Sequence, residues 1–151
     1  MNWKTILVPH DFSASASHAT EIARDEAKQR GSRVILLHVI ELPHQLDAAA
    51  LVSDGEGHMI PLQSYATARA TQHLQELADA LAADGTAATA VVVIGSPVDE
   101  IERVVAENAV DVIVMGTHGR TGIRKLIAGS VTERVVRTAS VPVLTIRHPG
   151  E

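Results

Sequence analysis

Apolar residues fall along this 151-residue chain in two alternating kinds of run. The first kind is short and unbroken: Thr5-Ile6-Leu7-Val8, halted by Pro9, and then Val34-Ile35-Leu36-Leu37-His38-Val39-Ile40. Ala90-Val91-Val92-Val93-Ile94, Val112-Ile113-Val114-Met115 and Val141-Pro142-Val143-Leu144-Thr145-Ile146 repeat it. Runs of this length without polar alternation predict strands buried on both faces, as in a parallel sheet. Between them the apolar spacing widens to three and four. Ala19, Ile22, Ala23 and Ala27 predict a helix that starts among Ser13, Ser15 and Ser17 and stops at Gly31. Leu74, Leu77, Ala78 and Leu81 mark the buried stripe of a second helix over residues 65–83. Ser96-Pro97-Val98-Asp99 has the form of a helix start, with Ile101, Val104 and Val105 as its apolar face. Ser130 with Glu133 has the spacing of a capping box, followed by Val135, Val136 and Ala139.

Strand and helix thus alternate from end to end. The prediction is an α/β fold: one domain over residues 1–151, an open five-stranded parallel sheet with helices on both faces, Rossmann-like, joined by right-handed crossovers. Pro142 predicts an edge position for the last strand, where a missing donor is tolerated. Residues 41–60, with Pro43, Gly55 and Gly57, have no period and read as a long excursion.

Composition narrows the function classes. Hydrophobic residues make up 46% of the chain, enough for a globular core without staples. That core is aliphatic, because the only aromatics are Trp3, Phe12 and Tyr65, too few for a single-stranded nucleic-acid platform. No cysteine is present, which excludes disulfides, thiolate catalysis and cysteine-bound metals. The net charge of −5 disfavours DNA binding, so no nucleic-acid partner is expected. No apolar run approaches the roughly 20 residues of a membrane span. The start, MNWKTILVPHD, reads directly as a strand without a signal peptide, so a cytoplasmic protein is expected and no membrane partner.

In an open α/β sheet, ligands bind beyond the carboxyl ends of the strands, where strand order reverses. Pro9-His10-Asp11 follow the first strand, and GTHGRTGIRKLIAGSV, beginning at Gly116, follows the fourth. If those strands are neighbours, both segments face one crevice. Glycine allows positive φ and close approach of a ligand to the backbone. Ser130 then opens a helix whose first amides are unpaired donors at the positive end of a dipole. Arg120, Arg124, Lys125, Arg134 and Arg137 stand against Glu133 alone, a basic island in an acidic chain. These features fit a phosphate cradle formed by the amides of Gly129, Ser130 and Val131 and the Ser130 hydroxyl. The other reading is a glycine hinge before a capped helix, with the basic residues merely solvated. Neither GxxxxGK[ST] nor GxGxxG is present.

The pattern Gly116-x2-Gly119-x9-Gly129-Ser130 resembles the nucleotide-binding signature of the universal stress protein family. The resemblance extends over nearly the whole chain, through ILVPHDFS, SPVDEI, DVIVMGTHGRTG, GSVTERVVR and VPVLTIR. It implies a sheet of order 3-2-1-4-5, with the reversal between strands one and four. It implies that Asp11 contacts adenine, that the Val39 backbone meets the base, and that the glycine motif from Gly116 through Gly119 to Gly129 wraps ribose and phosphates. His118 and Arg120 lie within that motif, and Ser130 reaches phosphate oxygens. Pro9, Val39 and Met115 would supply aliphatic walls for the base, while His10 stands where a small Thr is more usual. Members commonly dimerise through the last strand, here Val141 to Ile146. The resemblance therefore implies ATP, with Mg²⁺, as cofactor and a homodimer as assembly.

For Asp11 the other reading is a helix-capping acid, and for His118 a solvated loop histidine. His38 reads as a satisfied strand residue. His44, Asp47, Asp54 and His58 match no metal-ligand spacing, and no protein metal site is expected. Three function classes follow: a nucleotide-dependent regulatory dimer in the stress response, a slow ATPase, or a scaffold that works through protein partners. The complete motif favours the first. No catalytic base stands beside the motif, since Glu133 is explained as a capping partner, and no catalytic residue is assigned.

Overall fold

The apolar run after Lys4 becomes the middle strand of a parallel sheet. A computed structural model describes residues 1–43, 49–117 and 130–149. The chain runs β1 (Thr5–Pro9), α1 (Ala14–Arg30), β2 (Arg33–Ile40), β3 (Leu51–Ser53), β4 (Met59–Pro61) and α2 (Leu62–Ala83), then β5 (Ala88–Ile94), α3 (Pro97–Glu107), β6 (Val112–Gly116), α4 (Val131–Thr138) and β7 (Val143–Ile146). The five main strands lie in the order β5-β2-β1-β6-β7, all parallel. In the order of the five predicted strands this is 3-2-1-4-5.

The unbroken apolar runs are explained by two cores, one on each face. Successive strand side chains point to opposite faces. Ile6, Val8, Val34, Leu36, Val112 and Val114 pack with Ala19, Ala23 and Ala27 of α1 and with Leu74, Ala78 and Leu81 of α2. Leu7, Ile35, Leu37, Ile113 and Met115 pack with Ile101, Val104 and Val105 of α3 and with Val135 of α4. The alanine face of α1 brings that helix close to the sheet, and Ile22 is only half-buried. Ser13 caps α1 by accepting from the Ala16 amide at 3.1 Å, and Gly31 closes it at φ +68°. Only glycine takes that left-handed conformation without a steric cost.

The ladders are unequal. β2 and β5 register over seven residue pairs, Val34↔Ala88 to Ile40↔Ile94. β1 and β2 register from Thr5↔Arg33 to Pro9↔Leu37. β1 and β6 share only Ile6↔Val112 and Leu7↔Ile113. Below that short ladder, Asp111 Oδ2 accepts from the amides of Lys4 at 2.7 Å and Thr5 at 2.9 Å. Those amide bonds hold the Asp111 carboxyl below its ordinary range.

Several boundaries differ from the sequence pattern. The excursion at 41–60 contains a hairpin, with Leu51↔Pro61 and Ser53↔Met59 paired and Gly55 and Gly57 at positive φ in its turn. Three-residue strands are too short to display a period. The second helix starts at Leu62, three residues early, after Pro61. Ser96 occupies the N-cap of α3 but makes no side-chain cap bond. Pro142 precedes β7 rather than lying within it, and its carbonyl accepts from the Ile113 amide at 2.9 Å. β7 is an edge strand, as the proline predicted. Among the described residues no helix is long and apolar enough to cross a membrane.

Candidate functional site

The reversal of strand order falls between β1 and β6. A cavity of ≈ 540 Å³ opens there, beyond the carboxyl ends of β1, β2 and β6. Pro9, His10, Asp11, Val39, Met115, Gly116, Ser130 and Val131, all singled out in the sequence, line it. His118, Gly119, Arg120 and Gly129 were singled out with them and lie outside the described residues. The first turns of three helices also reach the cavity: Ser13 and Ala16 of the α1 start, Pro97 of α3, and Ser130 to Thr132 at α4. Helix N-termini carry partial positive charge and spare amides, so this wall suits an anion.

The turn after β1 is built by its own polar groups. Asp11 Oδ1 accepts from the Ser13 amide at 3.0 Å. Ser13, not Asp11, is the helix cap, so the acid shapes the approach to the helix. Phe12 takes φ +63°, rare for a residue with a side chain. His10 Nδ1 accepts from the Phe12 amide at 3.0 Å, which places the neutral imidazole's proton on Nε2. His10 is buried, and burial pushes its pKa down to about 4, with Asp11 opposing and His38 reinforcing the shift. His38 Nδ1 donates to the His10 carbonyl at 2.7 Å, which ties β2 to the same turn. The Phe12 ring sits among His10, His38 and His73, with centroids 5.3, 4.7 and 5.6 Å away. Of these rings, His10 and His38 line the cavity, and Phe12 packs behind them.

Gly116 has a reason the sequence did not reveal. Its φ is not positive, so the freedom of glycine to turn is not what the site uses. A Cβ added there would meet Ser15 Oγ at 2.3 Å and the Ser15 backbone carbon at 2.8 Å. Glycine lets the first turn of α1 pack directly on the end of β6.

At the opposite wall, Ser130 caps α4 by accepting from the Glu133 amide at 3.1 Å. Its hydroxyl can also donate, and Ser130 lines the cavity. The amides of Val131 and Thr132, in the first turn, have no acceptor within the helix by position. Glu133 Oε1 accepts from Arg137 at 2.7 Å, which offsets one of the basic charges counted in this stretch. Thr132, which the sequence did not single out, is buried and lines the cavity, and its Oγ1 donates to the Gly116 carbonyl at 3.0 Å. No periodic or capping signal marks such a residue.

Asp54, Glu56 and His58, in the hairpin turn, bring ligand-type atoms within 4.8 Å of one another, a proximity that their spacing did not reveal. The Asp54 carboxylate is engaged locally, by the amides of Glu56 at 2.7 Å and His58 at 3.1 Å and by His58 Nδ1 at 2.9 Å. Those bonds hold its pKa down and account for the turn. His44 and Asp47 lie outside the described residues.

The family model described as "Universal stress protein family" matches residues 2–147. Universal stress protein MJ0577 of Methanocaldococcus jannaschii is 30% identical over 155 aligned residues, covering 97% of this chain and 96% of that one. The solved structure of MJ0577 superposes with a TM-score of 0.78 at 28% identity, over 97% of both chains. A universal stress protein solved in complex with cAMP gives a TM-score of 0.72 at 22% identity, over 98% of this chain and 99% of the other. The universal stress protein from Archaeoglobus fulgidus in complex with dAMP gives 0.66 at 22%, over 97% and 99%. The last two likenesses speak for the fold alone.

Proposed function

The chain belongs to the universal stress protein family, and on that premise we propose that it binds an adenine nucleotide, ATP with Mg²⁺, in the cavity between β1 and β6. The observation that carries this reading is the convergence of Asp11, Val39, Met115, Ser130 and Val131 on one cavity at the reversal of strand order. Its volume of ≈ 540 Å³ lies within the range of about 300–1,000 Å³ usual for small-molecule sites. The base lies at the Pro9–Asp11 and Val39 end, and Asp11 accepts from the exocyclic amine. The phosphates lie at the start of α4, against the Ser130 hydroxyl and the Val131 and Thr132 amides. Mg²⁺ needs little from the protein here, since it is commonly held by phosphate oxygens and water. Two proteins of the same fold were solved with the adenine nucleotides cAMP and dAMP, so the fold admits this ligand class.

The output is regulatory, with occupancy read by a partner surface or by a second copy. The second copy pairs along β7, an edge strand on which Leu144 is exposed; Val136 of α4 is a second exposed apolar side chain.

Two experiments test these readings. Nucleotide released by denaturing the purified protein is identified, and ATP with Mg²⁺ is then titrated into the emptied protein by calorimetry. Micromolar binding, about −8 kcal/mol, is expected, together with its loss in Gly129→Val combined with Ser130→Ala. Unchanged affinity in the double variant would exclude this cradle. For the dimer, Val143→Asp is expected to sediment as a monomer, and an unchanged mass would put the interface elsewhere.

A further inference from the structure

Thr132 is buried, lines the cavity, and donates from Oγ1 to the carbonyl of Gly116, 16 positions earlier. The acceptor is fixed. Gly116 registers with Ile146 of β7, the next amide, Thr117, donates to the Ile146 carbonyl at 3.0 Å, and Ser15 backs Gly116 on the α1 side. The donor sits on a helix whose other anchors among the described residues are apolar, with Val131 and Ala139 packed against the same cluster as Val135. α4 has eight residues, and only Thr132 and Val135 among them are buried. Val135 packs in an apolar cluster, which resists withdrawal but has no preferred direction. The Thr132 hydroxyl is directional and lies in the first turn, beside the amides that face the cavity.

We propose that Thr132 is a positioning residue: its bond to the Gly116 carbonyl holds the first turn of α4 in place and sets the grip on the phosphates, not on the base. This inference rests on the nucleotide reading above. Charge-assisted hydrogen bonds from amides to an anion depend steeply on distance and angle. A small drift of α4 weakens contacts at the phosphate end, whereas the base end is built on β1 and β2. The Thr132 hydroxyl need not touch the ligand to have this effect.

The test compares ATP and adenosine by calorimetry, for wild type, Thr132→Val, Thr132→Ala and Thr132→Ser. Thr132→Val keeps the volume and removes the donor. Thr132→Ala removes it without pressing a methyl on the carbonyl, and serves if the valine variant does not fold. ATP affinity is expected to fall roughly tenfold in Val and Ala, about the value of one net hydrogen bond. Adenosine affinity is expected to change by less than about twofold, and Ser to restore ATP binding to within about threefold, both below the effect of one such bond. If wild type binds ATP and the Val or Ala variant binds it equally well, the positioning role is wrong and the nucleotide reading stands. An equal loss of ATP and adenosine would make Thr132 merely structural and would also overturn the proposal. Wild type that binds neither ligand would overturn the nucleotide reading and this inference with it.

Discussion

Replacing Gly116 with alanine tests whether the end of β6 is glycine for packing. The added Cβ would lie 2.3 Å from Ser15 Oγ and 2.8 Å from the Ser15 backbone carbon. The hydroxyl can rotate away, but the backbone carbon belongs to α1, which is packed on the sheet through Ala19, Ala23 and Ala27. Restoring an ordinary contact of about 3.5 Å moves the first turn of α1 by about 0.7 Å. Overpacking of this kind costs about 1–3 kcal/mol. Alanine returns about 0.5–1 kcal/mol through its lower strand entropy. The net expectation is a loss of about 1–2 kcal/mol, or about 2–8 °C in Tm for a chain of this size. Gly95→Ala is the control. Its Cβ would meet Glu100 Cγ and Oε1 at 3.0 Å, the far end of a flexible side chain, so the change should stay within about 0.5 kcal/mol. Urea and thermal melts of the two variants decide the matter. If Gly116→Ala is as stable as wild type, or Gly95→Ala loses as much, the steric explanation fails.

His10 makes stability depend on acid. Burial keeps it neutral down to about 4, whereas an unfolded imidazole takes up a proton near 6.5. The unfolded chain therefore binds the extra proton in that window, and this contribution is full above about pH 6.5 and lost as pH falls toward about 4. Wild type should be about 2 kcal/mol less stable at about pH 5 than at about pH 8 from this group alone, and His10→Thr should show a correspondingly shallower pH dependence in urea melts. An equal dependence in both proteins would contradict it. Asp111→Ala leaves the Lys4 and Thr5 amides without their shared acceptor and should cost about 1–2 kcal/mol in chemical denaturation. Wild-type stability would mean that water replaces the carboxylate fully. Gly31→Ala forces a side chain into φ +68° at the end of α1 and should cost about 1 kcal/mol in the same assay. No loss would mean that the helix end relaxes out of the left-handed conformation.

Patterns repeated along a segment were readable before any coordinates. Ile6, Leu7 and Val8 read as a doubly buried strand because both faces of the sheet carry a core, and a two-sided core leaves no polar position. The start among Ser13, Ser15 and Ser17, and the ends at Gly31 and Ser130, read as helix boundaries because capping is local chemistry, settled within four residues. What stayed hidden depends on distant chain segments meeting. Nothing near Gly116 announces Ser15, far earlier in the chain, and nothing near Thr132 announces the carbonyl it bonds. The burial of His10 was not legible because it depends on packing with Phe12, which itself meets His38 of β2 and His73 of α2. The hairpin at Leu51–Ser53 and Met59–Pro61 was lost for a different reason: its strands are shorter than two full alternations.

The short ladder between β1 and β6 has a mechanical consequence. Seven pairs join β2 to β5, and β1 follows β2 along its whole length, so these three strands behave as one plate. β6 and β7, in register from Ile113↔Val143 to Gly116↔Ile146, form a second plate. Within the sheet two residue pairs join the plates and Asp111 pins them at one end; α1 packs across both, down to Ser15 against Gly116. Through the sheet alone the plates are arranged like pliers, joined at Asp111 with ends at Pro9 and Gly116, and α1 is the clamp across them. A molecule seated between the jaws works with the longest lever arm available in the sheet. Its arrival would stiffen the second plate as a unit and slow the opening of β6 and β7 together, with no need to remodel either plate.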